Sequence, residues 1–213
     1  MGSEQPEQQP QPSTTATTAD DDLAPTQTEG YVAPEKKTLE ELTQLDKDDD
    51  ALNKWKQSLL KNANTAGATT NDPRRVVVLS LSMEVEGRPD VTLDLSSAEA
   101  LEQTKKSPIT IKEGIEYRMK VKFQVQHEVI SGLKYLHVVK RAGVRVDKTE
   151  EMIGSYAPAA DALEKKFSLE QAPSGMLARG TYHVRSKFVD DDNVTHLEWD
   201  WSFQIKKDWQ ADD

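Results

Sequence analysis

From about residue 75 the apolar side chains recur at every second position. Val77, Leu79, Leu81, Met83 and Val85 alternate with mostly polar neighbours, and Val91, Leu93 and Leu95 repeat the pattern. The longest such run is Ile115 to Val129. Ile115, Tyr117, Met119, Val121, Phe123, Val125, His127 and Val129 fall on one face, and Glu116, Arg118, Lys120, Lys122, Gln124, Gln126 and Glu128 on the other. Period two with one dry and one wet face predicts antiparallel strands. Further strands are expected at Leu133–Lys140, Val144–Asp147, Tyr182–Phe188 and Leu197–Ile205. Turn signals separate them: Glu113-Gly114, Ser131-Gly132, Ala142-Gly143, Ser174-Gly175 and Asp190-Asp191-Asp192-Asn193. Eight or nine short strands with no long competing helix predict an all-β, immunoglobulin-like β-sandwich over residues 75–213.

Before residue 75 the pattern is different. Residues 1–35 are rich in Gln, Pro, Thr and Ala, with six acidic residues before position 30 and no basic one. So few apolar groups cannot repay the entropy of ordering, and a disordered acidic tail is expected. Residues 36–60 read as an arm of two short helices. Thr38 and Glu41 fit a capping box, followed by Leu39, Leu42 and Leu45 at helical spacing. After Asp46-Lys47-Asp48-Asp49-Asp50, Leu52, Trp55, Leu59 and Leu60 share one side of a second helix. Each piece is too short to be stable alone in water. It must dock either on the protein's own domain or on a partner. Residues 61–74 have the composition of a linker.

Charge follows the same division. Residues 1–60 carry 13 acidic and 5 basic side chains, leaving only -2 of the total -10 for the rest of the chain. That acidity argues against a nucleic-acid binder. The absence of cysteine excludes disulfides, thiolate metal sites and a thiol nucleophile. No apolar run is long enough to span a bilayer as a helix, and no secretory leader is visible, so a soluble cytoplasmic protein is expected. The four histidines lack metal-binding spacing, and no nucleophile elbow, phosphate loop or dinucleotide fingerprint is present. The aspartate run at 46–50 fails as a calcium loop, because Ala51 and Gln57 stand where Gly and Glu are needed. No cofactor, metal or enzyme activity is expected. Asp190-Asp191-Asp192 reads most simply as the cap of a hairpin, with a metal site as the alternative.

One strand is unusually aromatic. Leu197, Trp199, Trp201, Phe203 and Ile205 share a face, with Tyr117, Phe123 and Phe188 available to the same interior. Two outcomes fit: a bulky solid core, or sheets that splay at one end around an apolar cavity.

Several ordered runs resemble the Rho GDP-dissociation inhibitor family. They include Leu45-Asp46-Lys47-Asp48-Asp49, Lys112-Glu113-Gly114-Ile115-Glu116-Tyr117-Arg118 and Ser131-Gly132-Leu133-Lys134-Tyr135. Val146-Asp147-Lys148-Thr149, Gly154-Ser155-Tyr156 and Ala172 through Gly180 continue the match. It ends with Phe188 to Asp192, Trp199-Asp200-Trp201 and Ile205 to Trp209, so it covers about residues 36–209.

The resemblance implies a sandwich that takes up the geranylgeranyl group of a prenylated Rho-family GTPase in its GDP form. It also implies an arm that folds as a helical hairpin over the GTPase, slows GDP release and helps keep it off membranes in a 1:1 complex. Carried over by position, the GTPase contacts fall on Asp49, Leu52, Trp55 and Asp192. The prenyl contacts fall on Leu81, Met83, Tyr117, Val129, Leu177, Val184, Trp199 and Trp201. An acidic patch for the GTPase's basic tail falls on Asp161, Glu164 and Glu170, diluted here by Lys165, Lys166 and Gln171. The alternatives are a prenyl or acyl carrier without effect on nucleotide exchange, and an adaptor indifferent to lipid.

Overall fold

The computed structural model describes residues 23–26, 54 and 72–209. Nine strands and one helix lie among these residues: β1 Val76–Glu84, β2 Val91–Asp94, α1 Ala98–Lys106, β3 Ile109–Lys112, β4 Glu116–Val125, β5 Ile130–Arg141, β6 Val144–Tyr156, β7 Leu163–Gln171, β8 Gly180–Val189 and β9 Thr195–Lys206. They form a four-stranded sheet, β2-β1-β4-β7, and a five-stranded sheet, β3-β9-β8-β5-β6. All pairings are antiparallel except β3 with β9. This is the sandwich that the alternation predicts.

The inner faces of the two sheets share one core. Register places Leu81 opposite Val121 and Met83 opposite Met119, and Val184 opposite Trp201. Phe123 and Phe188 have no exposed surface, and burying such a ring contributes about 1.5–3 kcal/mol. Aromatic contacts knit the centre: Tyr135 lies 5.0 Å from Phe188 and 5.5 Å from Phe167, and Phe188 stacks on Trp199 at 5.7 Å.

Three features depart from the sequence pattern. The long alternation stops at Val125, because His127 adopts a left-handed backbone (φ 66°). There its ring bonds the Asp72 carbonyl at 2.7 Å. Val129 is left 41% exposed and outside the inner face. Helix α1 was not anticipated, since Leu101 is its only large apolar side chain. It is set by Ser97, whose hydroxyl caps the Ala100 amide at 3.1 Å, with Glu99 in its first turn and Lys105 and Lys106 in its last. Strand β7 was also unexpected: its charged sequence lies at a sheet edge, with Phe167 as its one fully buried side chain.

The arm of residues 36–60 and the linker to 71 lie outside the described residues, apart from Lys54. So do most of residues 1–35. Their described part, Leu23–Thr26, sits against the outer face of the five-stranded sheet, where Leu23 is 2% exposed. Among the described residues no helix is long and apolar enough to cross a membrane.

Candidate functional site

The two sheets close tightly around Phe123, Phe188 and Trp199 and part at the other end. There they enclose a cavity of about 530 Å3, within the range of about 300–1,000 Å3 usual for small-molecule sites. The walls come from both sheets. Tyr117 and Met119 of β4 and Glu170 of β7 face Tyr135, His137, Val139 and Arg141 of β5. Tyr182 and Val184 of β8, Trp201, Phe203 and Ile205 of β9, and Ile109 and Ile111 of β3 complete the apolar part. Of the two outcomes left open by the aromatic stripe, the splayed sandwich is the one observed.

The aromatic walls are held by specific contacts. Tyr182 stacks on Phe203 at 4.9 Å. Ser186, buried beneath the wall, accepts the Trp201 Nε1–H at 2.9 Å and lies 3.0 Å from the Tyr135 hydroxyl. Burial raises the Tyr135 phenol above its ordinary range.

One side of the cavity is polar. The Tyr117 hydroxyl donates to Glu170 at 2.6 Å, and burial, reinforced by that carboxylate, raises the phenol's pKa. His137 Nε2 lies 3.6 Å from Asp147 Oδ2. Its Nδ1 is buried without a hydrogen-bond partner. Burial lowers the imidazole pKa, and Asp147 only partly opposes this. The cavity thus offers a mainly apolar volume with a ledge of hydrogen-bonding groups, the arrangement suited to an amphipathic lipid.

The loop from Ala172 to Arg179 runs beside this end of the sandwich. Arg179 pairs with Glu113 at 2.7 Å, and Glu113 also accepts the Gly175 amide at 3.0 Å. Arg141, in the cavity wall, donates to the carbonyls of Leu177 and Arg179. The side chains of Met176 and Leu177 project into solvent, 81% and 89% exposed. Val146 at the cavity and Val144 at the start of β6 are exposed as well. Apolar groups in such positions offer a surface that a ligand or partner can cover.

The prenyl positions carried over from the family resemblance divide. Tyr117, Val184 and Trp201 line the cavity. Leu81 and Trp199 lie in the closed core, and Met83 packs with Ile111 and Ala172 next to the cavity wall. Leu177 is on the loop beside the cavity, and Val129 lies outside it. Sequence reasoning missed His137, Val139 and Arg141. The alternation within Leu133–Lys140 contained a signal for the first two, because every second residue from Tyr135 shares its face. Asp161, Glu164 and Glu170 do not converge on one spot. Glu164 and Glu170 are six residues apart on β7, roughly 20 Å along an extended strand, and only Glu170 reaches the cavity.

Of the carried-over GTPase contacts, Asp49, Leu52 and Trp55 lie outside the described residues. Asp192 is exposed in the β8–β9 turn. Asp190 builds that turn: its carboxylate accepts the Val194 amide at 2.9 Å and meets His196 Nε2 at 2.9 Å. Burial would raise the Asp190 pKa, but these two hydrogen bonds outweigh it and the net shift is downward. Asp191 faces Lys134 at 3.8 Å and donates its amide to the Ser131 carbonyl. Among the described residues no group of three or more His, Cys, Asp or Glu side chains could hold a metal ion.

Comparison with known proteins adds independent information. The family model described as RHO protein GDP dissociation inhibitor matches residues 16–208. The Rho GDP-dissociation inhibitor of Schizosaccharomyces pombe is 48% identical over 176 residues, covering 83% of this chain and 85% of the relative. Rho GDP-dissociation inhibitor 1 of Homo sapiens is 44% identical over 180 residues, 84% of this chain and 87% of the relative. A putative rho GDP-dissociation inhibitor 1 of Dictyostelium discoideum is 39% identical over 186 residues, 86% and 93% of the two chains. With nearly the whole β-sandwich and part of the segment before it matched, this chain belongs to the Rho GDP-dissociation inhibitor family.

Proposed function

We propose that the chain binds prenylated Rho-family GTPases in their GDP form, slows GDP release, and keeps them soluble in the cytoplasm as a regulator rather than an enzyme. The observation that carries this reading, beyond family membership, is the apolar cavity of about 530 Å3 between the sheets. The geranylgeranyl chain enters there, against Tyr117, Val184 and Trp201, with the cysteine that carries it toward Glu170 and His137. Leu81, Met83 and Trp199 support the wall from behind, and Leu177 and Val129 contribute only if their segments move on binding.

Energetics sets how the work is divided. Sheltering a twenty-carbon isoprenoid is worth at most roughly 16 kcal/mol at about 0.8 per carbon. The bilayer offers nearly the same, so exchanging one apolar host for another yields little. The surplus that draws the GTPase off a membrane comes from protein–protein contacts: Asp49, Leu52 and Trp55 of the arm, and Asp192 of the β8–β9 turn. The arm loses conformational freedom on docking, so binding and folding are coupled there. Exposed Asp161 and Glu164 meet the basic tail that precedes the lipid.

GDP release from prenylated and unprenylated GTPase, with and without the protein, tests the reading. Slowed release and capture of the prenylated form are expected. Lipid-dependent capture with unchanged release would indicate a carrier instead, and capture indifferent to the lipid would indicate an adaptor.

A further inference from the structure

Strands of an exposed sheet alternate dry and wet, yet the outward face of the five-stranded sheet carries Leu136 and Val138 on β5 and Val189 on β8, all at most 1% exposed. They are covered by Leu23, from the N-terminal region, and form a cluster separate from the main core. Polar contacts fix the same segment. The Thr26 amide donates to Glu150 Oε2 at 2.9 Å, and Lys148 Nζ donates to the Ala24 carbonyl at 3.3 Å. Lys134 Nζ reaches the Thr26 carbonyl at 3.5 Å and pairs with Glu150 at 3.3 Å. Register explains the convergence: Leu136 lies opposite Glu150 and Val138 opposite Lys148, so the apolar seat and its polar clamps are cross-strand neighbours.

We propose that this outer face is a receptor site for the chain's own Leu23–Thr26 segment, which clips the N-terminal region to the sandwich. The recognition is an apolar anchor plus backbone hydrogen bonds, a mode that needs a short segment rather than a folded partner. Val189 leads directly into Asp190, and Lys134 also faces Asp191. The clip therefore shares its seat with the turn that carries Asp192, and, on the function proposed above, it braces one of the GTPase contacts.

The chain has no cysteine, so single introduced thiols report on the clip in the full-length protein. Leu23 is buried while its neighbour Ala24 is exposed. Leu23→Cys should react with an aromatic disulfide reagent at least about tenfold more slowly than Ala24→Cys. Adding Thr26→Pro, which removes the amide donated to Glu150 and leaves every sandwich residue intact, should bring the two rates together. Equal rates in the original background would overturn the proposal, as would a slow Leu23→Cys rate unaffected by Thr26→Pro. No GTPase is present, so the outcome is independent of the function proposed above. Amide exchange at Asp190–Val194 in Leu23→Asp reads the bracing: several-fold faster exchange is expected, and unchanged exchange would overturn the link to the turn.

Discussion

Ser186 gives a sharp test of how the cavity wall is held. Its side chain is fully buried. Its oxygen accepts the Trp201 Nε1–H at 2.9 Å and lies 3.0 Å from the Tyr135 hydroxyl. An indole N–H can only donate, so Ser186→Ala leaves it with no acceptor and also deprives the tyrosine of its partner. Only one oxygen is removed, so the cavity term is small and the cost is that of orphaned polar groups, about 1–3 kcal/mol each. The sum is about 2–6 kcal/mol. Urea denaturation followed by tryptophan fluorescence should show a lower midpoint with an unchanged slope. In a Tyr135→Phe background one orphan is already absent, so the same substitution should cost about 1–3 kcal/mol less. Both rings line the cavity, so affinity for a geranylgeranyl-cysteine analogue should fall too. A loss below about 0.5 kcal/mol, where surface substitutions fall, would show that water or another group satisfies Trp201 and would refute the reasoning.

Three further outcomes are expected. Burial lowers the His137 pKa below its ordinary value near 6.5, so the unfolded chain binds the proton more readily than the folded one. Stability attributable to this histidine is therefore complete above about pH 6.5 and declines as pH falls toward the depressed folded value. Urea midpoints at pH 7.5 and 5.5 should differ less in His137→Gln than in the parent, and an identical difference would remove His137 as the cause. A Cβ at Gly132, where φ is 59°, would lie 1.8 Å from Asp191 Oδ2. Gly132→Ala should thus cost about 1–3 kcal/mol from strain and displacement of the turn, read as a fall in melting temperature, with weaker GTPase binding through Asp192. Finally, Asp49→Ala should weaken capture of the prenylated GTPase while leaving uptake of the isolated lipid nearly unchanged in a calorimetric titration. Equal losses in a folded variant would contradict the two-part clamp.

The composition and alternation of this chain were sufficient for its class of fold. Inward positions such as Val121, Phe123, Trp199 and Trp201 are legible because a half-buried strand must repeat with period two, whatever its partners. The family runs, in order along the chain, carried the function. What the linear pattern could not contain was the relation between strands. Tyr117, Val184 and Trp201 come from three strands, and only sheet order and register decide that they share a cavity while Trp199, two residues from Trp201, lies in solid core. Asp161, Glu164 and Glu170 look like one patch in sequence, but the extended backbone of β7 carries Glu170 away from Glu164. His127 stood on the dry side of the longest alternation until one left-handed residue turned the chain. Leu23 sat in a tail too polar to form a core of its own, and its burial depends on a seat supplied by strands more than a hundred residues away. Local periodicity is a property of neighbouring residues, whereas cavities and docking faces are properties of surfaces that meet only after folding.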